Sequence, residues 1–294
     1  MMNEMGIAVV ILVGIGLLFA TIIAISYKKF RVYEDPRIDQ VEDLLPHANC
    51  GACGQPGCRA FAEKLVAKEM APSKCTVSSA DQLLEIAALL GVESGSAEKR
   101  VARLLCAGGK REAHNLADYQ GHLKTCRGEA VVGGGVKACS WGCLGLGDCV
   151  EACDFDAIYL NDDGLPVVIP DLCVACNDCV EVCPKGLFVL MPIDQKLIVQ
   201  CRSLLEGDLA ESRCSVACTA CGRCVADGYP DLIEIKDNLA VVNYQLNDFA
   251  SPIAAKRCPT AAITWVEWQQ FEGPQDLKLP VGRVEKYRDK VNPA

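Results

Sequence analysis

The run CVACNDCVEVCP, which opens at Cys173, constrains this chain more than any other feature. Its spacing is C-x2-C-x2-C-x3-C-P: Cys173, Cys176 and Cys179 wrap one 4Fe-4S cube, while Cys183, followed by Pro184, turns aside to ligate a second. A partner motif is therefore required close by. CSWGCLGLGDCVEAC supplies Cys139, Cys143, Cys149 and Cys153, with Leu146 standing where a second cysteine is usual. Between the motifs, AIYLNDDGLPVVIP alternates and turns at Asp163-Gly164, the pattern of a β-hairpin.

The same spacings return 75 residues later. Cys126, Cys139, Cys143, Cys149 and Cys183 map onto Cys201, Cys214, Cys218, Cys224 and Cys258, and the hairpin maps onto IEIKDNLAVVNY. Gly228 stands for Cys153, and Asp248, Ser251 and Ala254 stand for Cys173, Cys176 and Cys179. Under crossed ligation those changed positions form one complete ligand set. The second repeat is thus expected to have lost one cube and kept the other, on Cys218, Cys221, Cys224 and Cys258. In the first repeat one cube is expected on Cys153, Cys173, Cys176 and Cys179. The other takes Cys143, Cys149 and Cys183, with Cys139 the expected substitute for the missing ligand, Cys126 the alternative, and a three-iron form also open.

A further set lies upstream in NCGACGQPGCRAFAEKLVAKEMAPSKC, as C-x2-C-x4-C-x16-C at Cys50, Cys53, Cys58 and Cys75. Gly51, Gly54 and Gly57 permit tight turning and leave N–H groups free to face sulfur. The pattern predicts a helix over Arg59 to Met70, packing through Ala60, Phe61, Leu65 and Met70 and ended by Pro72. On this spacing alone tetrahedral zinc competes with iron and sulfide, and His47 reads as a loop residue. Of the twenty cysteines, Cys106, Cys126, Cys201 and Cys214 are left over, either as small buried side chains or as ligands of an additional centre.

Compartment decides between metal and disulfide. Gly6 to Ser26 is 21 residues without a charge, which at ~1.5 Å per residue matches a ~30 Å hydrocarbon core. Glu4 precedes it and Lys28, Lys29 and Arg31 follow, the reverse of a signal peptide. A single transmembrane helix is expected, followed by a charged linker (Tyr27 to Gln40), with the N-terminus outside and the bulk of the chain in the cytoplasm. There thiols are kept reduced, which favours metal.

The net charge of -9 argues against a nucleic-acid partner. With three histidines and no C-x-x-C-H, c-type haem is disfavoured. Gly14-x-Gly16 lies in the membrane helix and Gly145-x-Gly147 between cluster ligands, so neither is a dinucleotide fingerprint. Cys214, Cys218 and Cys221 match the C-x3-C-x2-C of radical S-adenosylmethionine enzymes, but Cys224 and Cys258 complete the ferredoxin pattern and no barrel-length βα series surrounds them. Ala80 to Leu90 and Ala97 to Leu105 are expected as short amphipathic packing helices.

The expected fold class is α+β. A transmembrane anchor (1–27) precedes a small α-rich four-cysteine domain (28–90) and a helical linker (91–135). A two-cluster ferredoxin-like module (136–190), a degenerate second module keeping one cluster (191–272) and a basic tail (273–294) follow.

The order of one N-terminal membrane helix, VYEDPRIDQVEDLLPHANCGACGQPGC, CSWGCLGLGDC and CVACNDCVEVCP resembles the B subunit of the Rnf electron transport complex over nearly the whole chain. The resemblance is most specific at Cys50 to Cys75 and in the Cys143 to Cys149 loop. It implies a complex of the bacterial or archaeal cytoplasmic (inner) membrane that couples electron flow between reduced ferredoxin and NAD to sodium or proton translocation. The B subunit of such a complex carries 4Fe-4S clusters, three to four on the sets above with more left open. Its partners are soluble ferredoxin and the other subunits, and flavins and the NAD site belong elsewhere in the complex. No catalytic residue is expected in this chain. The second repeat departs from longer relatives, which keep both motifs complete. A different membrane oxidoreductase, or a zinc-stabilised scaffold, is the competing reading.

Overall fold

The computed structural model describes residues 2–30, 34–96, 98–122 and 124–272, so the Lys/Arg-rich tail from Gly273 lies outside it. Helix α1 (Met2–Phe30) contains a span, Val9–Lys29, with mean hydropathy 2.8 and none of it buried against the protein. Twenty-one residues of that composition match the apolar thickness of a bilayer. Because α1 continues to Phe30 and α2 (Arg37–Leu44) begins soon after, the linker expected over Tyr27 to Gln40 is helical at both ends.

Helices α2, α3 (Cys58–Val66) and α4 (Ala80–Leu90) enclose a small core of Val41, Leu45, Phe61, Leu65, Ile86 and Leu90. The helix expected to reach Met70 stops at Val66, Lys68 takes a left-handed φ of 60°, and Ala62 rather than Ala60 is fully buried. Helix α4 has the expected bounds, set by a reciprocal Ser79–Gln82 capping box and by Gly91 at φ 61°.

Beyond this unit the chain builds two similar β units. The first comprises β1 (Arg100–Leu104), α5 (Cys126–Val131), α6 (Asp148–Glu151), β2 (Ile158–Leu160), β3 (Pro166–Val168), α7 (Asp178–Val182) and β4 (Phe188–Pro192). The second comprises β5 (Leu197–Val199), α8 (Gly207–Arg213), α9 (Arg223–Asp227), β6 (Ile233–Lys236), β7 (Leu239–Val242), α10 (Ile253–Lys256) and β8 (Ile263–Trp265). In each, the outer strands pair antiparallel (β1 with β4, β5 with β8) and the inner two form a hairpin. Asp237 and Asn238, both at positive φ, make the two-residue turn that suits strand twist.

Strand β1 corrects the helix expected over Ala97 to Leu105. Val101 to Leu104 are all buried, and a short run buried on both faces is not told from a helix by periodicity alone. The segment 91–135 is consequently not a helical linker: β1 is an integral strand of the first unit, and α5 is the one helix described there. The strands also revise the repeat. Cys106 follows β1 as Cys201 follows β5, and the two sulfurs accept equivalent bonds, from the Cys143 N–H at 3.4 Å and the Cys218 N–H at 3.3 Å. Cys106, not Cys126, is the counterpart of Cys201, and the chain between Cys106 and Cys139 is longer than its counterpart by an insertion that contains Cys126.

Phe61 is 1% exposed at the centre of the helical unit. Phe61→Ala should destabilise it by about 3–5 kcal/mol, whereas Leu84→Ala, at a side chain 58% exposed, should change little. Thermal unfolding of the two variants measures the difference.

Candidate iron–sulfur sites

Three loops share one backbone conformation. In Cys173–Cys179 the left-handed residues are Ala175 and Asn177, in Cys218–Cys224 they are Ala220 and Gly222, and in Cys143–Cys149 they are Gly145 and Gly147. Each pair flanks the second cysteine position, which is Cys176, Cys221 and Leu146 in turn. Turning the chain left-handed on both sides of that position makes the flanking thiols converge, and it requires an L-residue to accept a conformation that glycine adopts freely.

The converging thiols surround small pockets. One is lined by Cys50, Cys53, Cys58 and Cys75, a second by Cys153, Cys173, Cys176 and Cys179, and a third by Cys218, Cys221, Cys224 and Cys258. Their empty volumes, counted out to open solvent, are 320, 310 and 340 Å³, and the first is lined by a loop unrelated to the other two. Among the described residues no three Cys, His, Asp or Glu side chains close on a single metal ion; ligands of a cube sit on separate corners, further apart than ligands of one ion. Donors face the sulfurs: Ser78 Oγ donates to Cys75 at 3.1 Å, the Ala157 N–H to Cys153 at 3.4 Å and the Leu187 N–H to Cys183 at 3.5 Å. His47 is an exposed loop residue.

Burial pushes the thiols upward: Cys179 and Cys143 to about 12, Cys224 to about 11. Such groups stay protonated in neutral solution and ionise only when a cation compensates, which is what iron does on binding. The chemistry of the sets therefore fits 4Fe-4S clusters.

Cys143, Cys149 and Cys183 lie together with Cys126. Burial raises Cys149, and the charges of Cys143, Cys126, Cys179 and Cys183 add to it. Burial also raises Cys126, opposed by the backbone N–H groups of Asp148, Leu146 and Gly147. The Cys126 thiol thus sits against the backbone of the position where Leu146 lacks a sulfur. Asp148 fixes it there, its carboxylate accepting from the Cys126 N–H at 2.7 Å and the Arg127 N–H at 3.1 Å. Cys139 faces elsewhere, near the Cys106 and Cys214 thiols.

Where the second repeat lacks cysteines, other contacts join the segments. Tyr229, beside Gly228, stacks on Phe249, beside Asp248, at 4.2 Å and 12°. Arg257 holds Asp227 at 2.7 Å, and Ala254 is buried in the core.

Arg103, on β1, is 1% exposed. One guanidinium nitrogen donates to the Trp268 carbonyl at 2.7 Å, and Nε and Nη2 have no partner among the described residues. Burial lowers its pKa, and the charge of Cys173 opposes that.

Two family models overlap two of these sites. The model described as "Putative Fe-S cluster" matches residues 45–77, and that described as "4Fe-4S binding domain" matches residues 166–188. Among similar proteins, the B subunit of the Na(+)-translocating ferredoxin:NAD(+) oxidoreductase complex of Acetobacterium woodii is 43% identical over 83% of this chain and 73% of its own. The B subunit of the proton-translocating ferredoxin:NAD(+) oxidoreductase complex of Clostridium ljungdahlii is 36% identical over 89% of this chain and 93% of its own. The B subunit of the ion-translocating oxidoreductase complex of Methanosarcina acetivorans is 35% identical over 87% of this chain and 96% of its own. With its four-thiol pockets and this likeness over most of its length, the chain belongs to the family of B subunits of Rnf-type, ion-translocating ferredoxin:NAD oxidoreductase complexes.

Proposed function

We propose that this chain is the iron–sulfur relay subunit of its complex, passing electrons between reduced ferredoxin and NAD-linked partner subunits in a reaction coupled to Na+ or H+ translocation. When bound, each cube supplies a reversible one-electron couple whose potential follows local charge, hydrogen bonding and solvent exposure. The protein's part is to hold the sites close together and dry. The observation that carries this reading is their continuity. Thr76, next to Cys75, donates to the Val174 carbonyl, next to Cys173, at 2.5 Å. Cys179 on α7 and Cys149 on α6 are near enough for one thiol's charge to act on the other.

The ligand sets supported by this arrangement are Cys50/Cys53/Cys58/Cys75, Cys153/Cys173/Cys176/Cys179, Cys126/Cys143/Cys149/Cys183 and Cys218/Cys221/Cys224/Cys258. Cys126 thus replaces Cys139 as the fourth ligand of the third set. The two β units are ferredoxin-like modules, the first beginning at β1 and the second keeping one cluster. Helix α1 anchors the chain in the membrane with its N-terminus outside, in keeping with the basic residues that follow the span.

In the assembled complex, Cys126→Ser should remove about four irons per chain, one cube's worth. Ferredoxin-driven NAD reduction should fall to background, while NADH oxidation by an artificial acceptor at the partner flavin persists. Iron content and both activities at the wild-type level would contradict the assignment.

Arg103→Met tests the electrostatics. Removing a buried cation near Cys173 should make the potential of that cluster more negative, read by an EPR-monitored redox titration, without loss of iron. An unchanged potential would leave Arg103 with a packing role only.

A further inference from the structure

Cys106, Cys139, Cys201 and Cys214 fall outside the four sets above, and all are buried, at 6–9% exposure. We propose that they hold a fifth 4Fe-4S cluster at the junction of the two β units, a proposal that rests on the relay reading. The set has internal symmetry. Cys106 and Cys201 follow the first strand of their units, and Cys139 and Cys214 each open a tight turn, closed by the Gly142 N–H on the Cys139 carbonyl at 2.9 Å and the Ala217 N–H on the Cys214 carbonyl at 3.0 Å. Each unit therefore contributes the same two positions.

The two pairs meet where the units are stitched together, by the Ala107 N–H on the Gln200 carbonyl and the Ser215 N–H on the Glu112 carbonyl, both at 3.0 Å. A Cβ placed on Gly108 would lie 2.8 Å from the Cys214 sulfur and 3.8 Å from the Cys106 sulfur, so thiols from different units face one point that only glycine leaves open. Cys139, Cys201 and Cys214 share one core with Ala113. The Cys106, Cys139 and Cys201 thiols all lie near enough to Cys214 for their charges to act on it.

A single buried cysteine needs no ligand, because it packs as a small apolar side chain. Four that converge from four segments are different, and these carry the donors that a cluster thiolate uses. The Cys201 sulfur accepts N–H bonds from Ser203 at 3.4 Å and Cys218 at 3.3 Å, and that of Cys106 accepts from Cys143 at 3.4 Å. Backbone N–H groups of Trp141 and Gly142 face Cys139, and that of Val216 faces Cys214.

Those bonds also define a path. Cys143 is a ligand of the third set and Cys218 of the fourth, so one hydrogen bond separates the junction centre from the cluster on either side. It would stand between the cluster sites of the two units. With it, all twenty cysteines are used in five sets.

The test is iron and sulfide analysis with Mössbauer spectroscopy on the anaerobically purified complex, wild type and with Cys106→Ser or Cys214→Ser. The wild type is expected to hold roughly 20 irons on this chain, five four-iron cubes. Each variant should lose the same spectral component and about four irons, although the two residues belong to different units. A wild-type count of roughly 16 irons overturns the junction centre and leaves the relay standing, and does so even if the variants fail to fold. So do variants that keep full iron, or that lose different components. Absence of any cube signal from the wild-type chain overturns the relay as well.

Discussion

A thiol shut away from water stays protonated, and a cluster of such thiols is stable only when a cation draws their charge together. Much of this fold depends on that exchange. Strands β2, β3, β5 and β8 are three residues each, and two-stranded pairs of that size do not hold themselves. In the proposed sets, thiolates from separated segments close on one centre: Cys75 returns to the loop of Cys50 from beyond α3, and Cys153 reaches the loop of Cys173 from across the β2–β3 hairpin. The binding free energy of such a centre is folding free energy for the segments that it joins.

The second unit shows the same constraint by subtraction. Where Gly228, Asp248, Ser251 and Ala254 stand in place of the first unit's cysteines, the segments are joined by the Tyr229–Phe249 stack and the Arg257–Asp227 pair. The stack contributes about 0.5–1.5 kcal/mol beyond its area, and an ion pair at the surface adds little to that. These contacts hold the segments without a redox centre. The remaining set of that unit includes Cys221, which is exposed, whereas Cys143 and Cys149 are buried.

Much was legible in the sequence where a motif dictates local geometry. The Cys173 run, the hairpin turn at Asp163-Gly164 and helix α4 follow from spacing, turn chemistry and capping. What was not legible depends on contacts between distant segments. The Ala97 to Leu105 stretch becomes a strand because β4, far along the chain, pairs with it and buries both faces. Cys126 reaches the Leu146 position through an insertion that a fixed 75-residue offset cannot register, and the same insertion hid the equivalence of Cys106 and Cys201. The N–H groups of Leu146, Gly147 and Asp148 that receive the Cys126 sulfur leave no mark in a motif.

Continuity is the central claim, since separate cubes on one chain carry electrons onward only if neighbouring sites adjoin. The most direct measurement adds reduced ferredoxin stepwise to the anaerobic complex and follows it by freeze-quench EPR. Signals of reduced 4Fe-4S clusters in this subunit are expected to appear before the partner flavin is reduced. Flavin reduction while every cluster of this chain stays oxidised would contradict it.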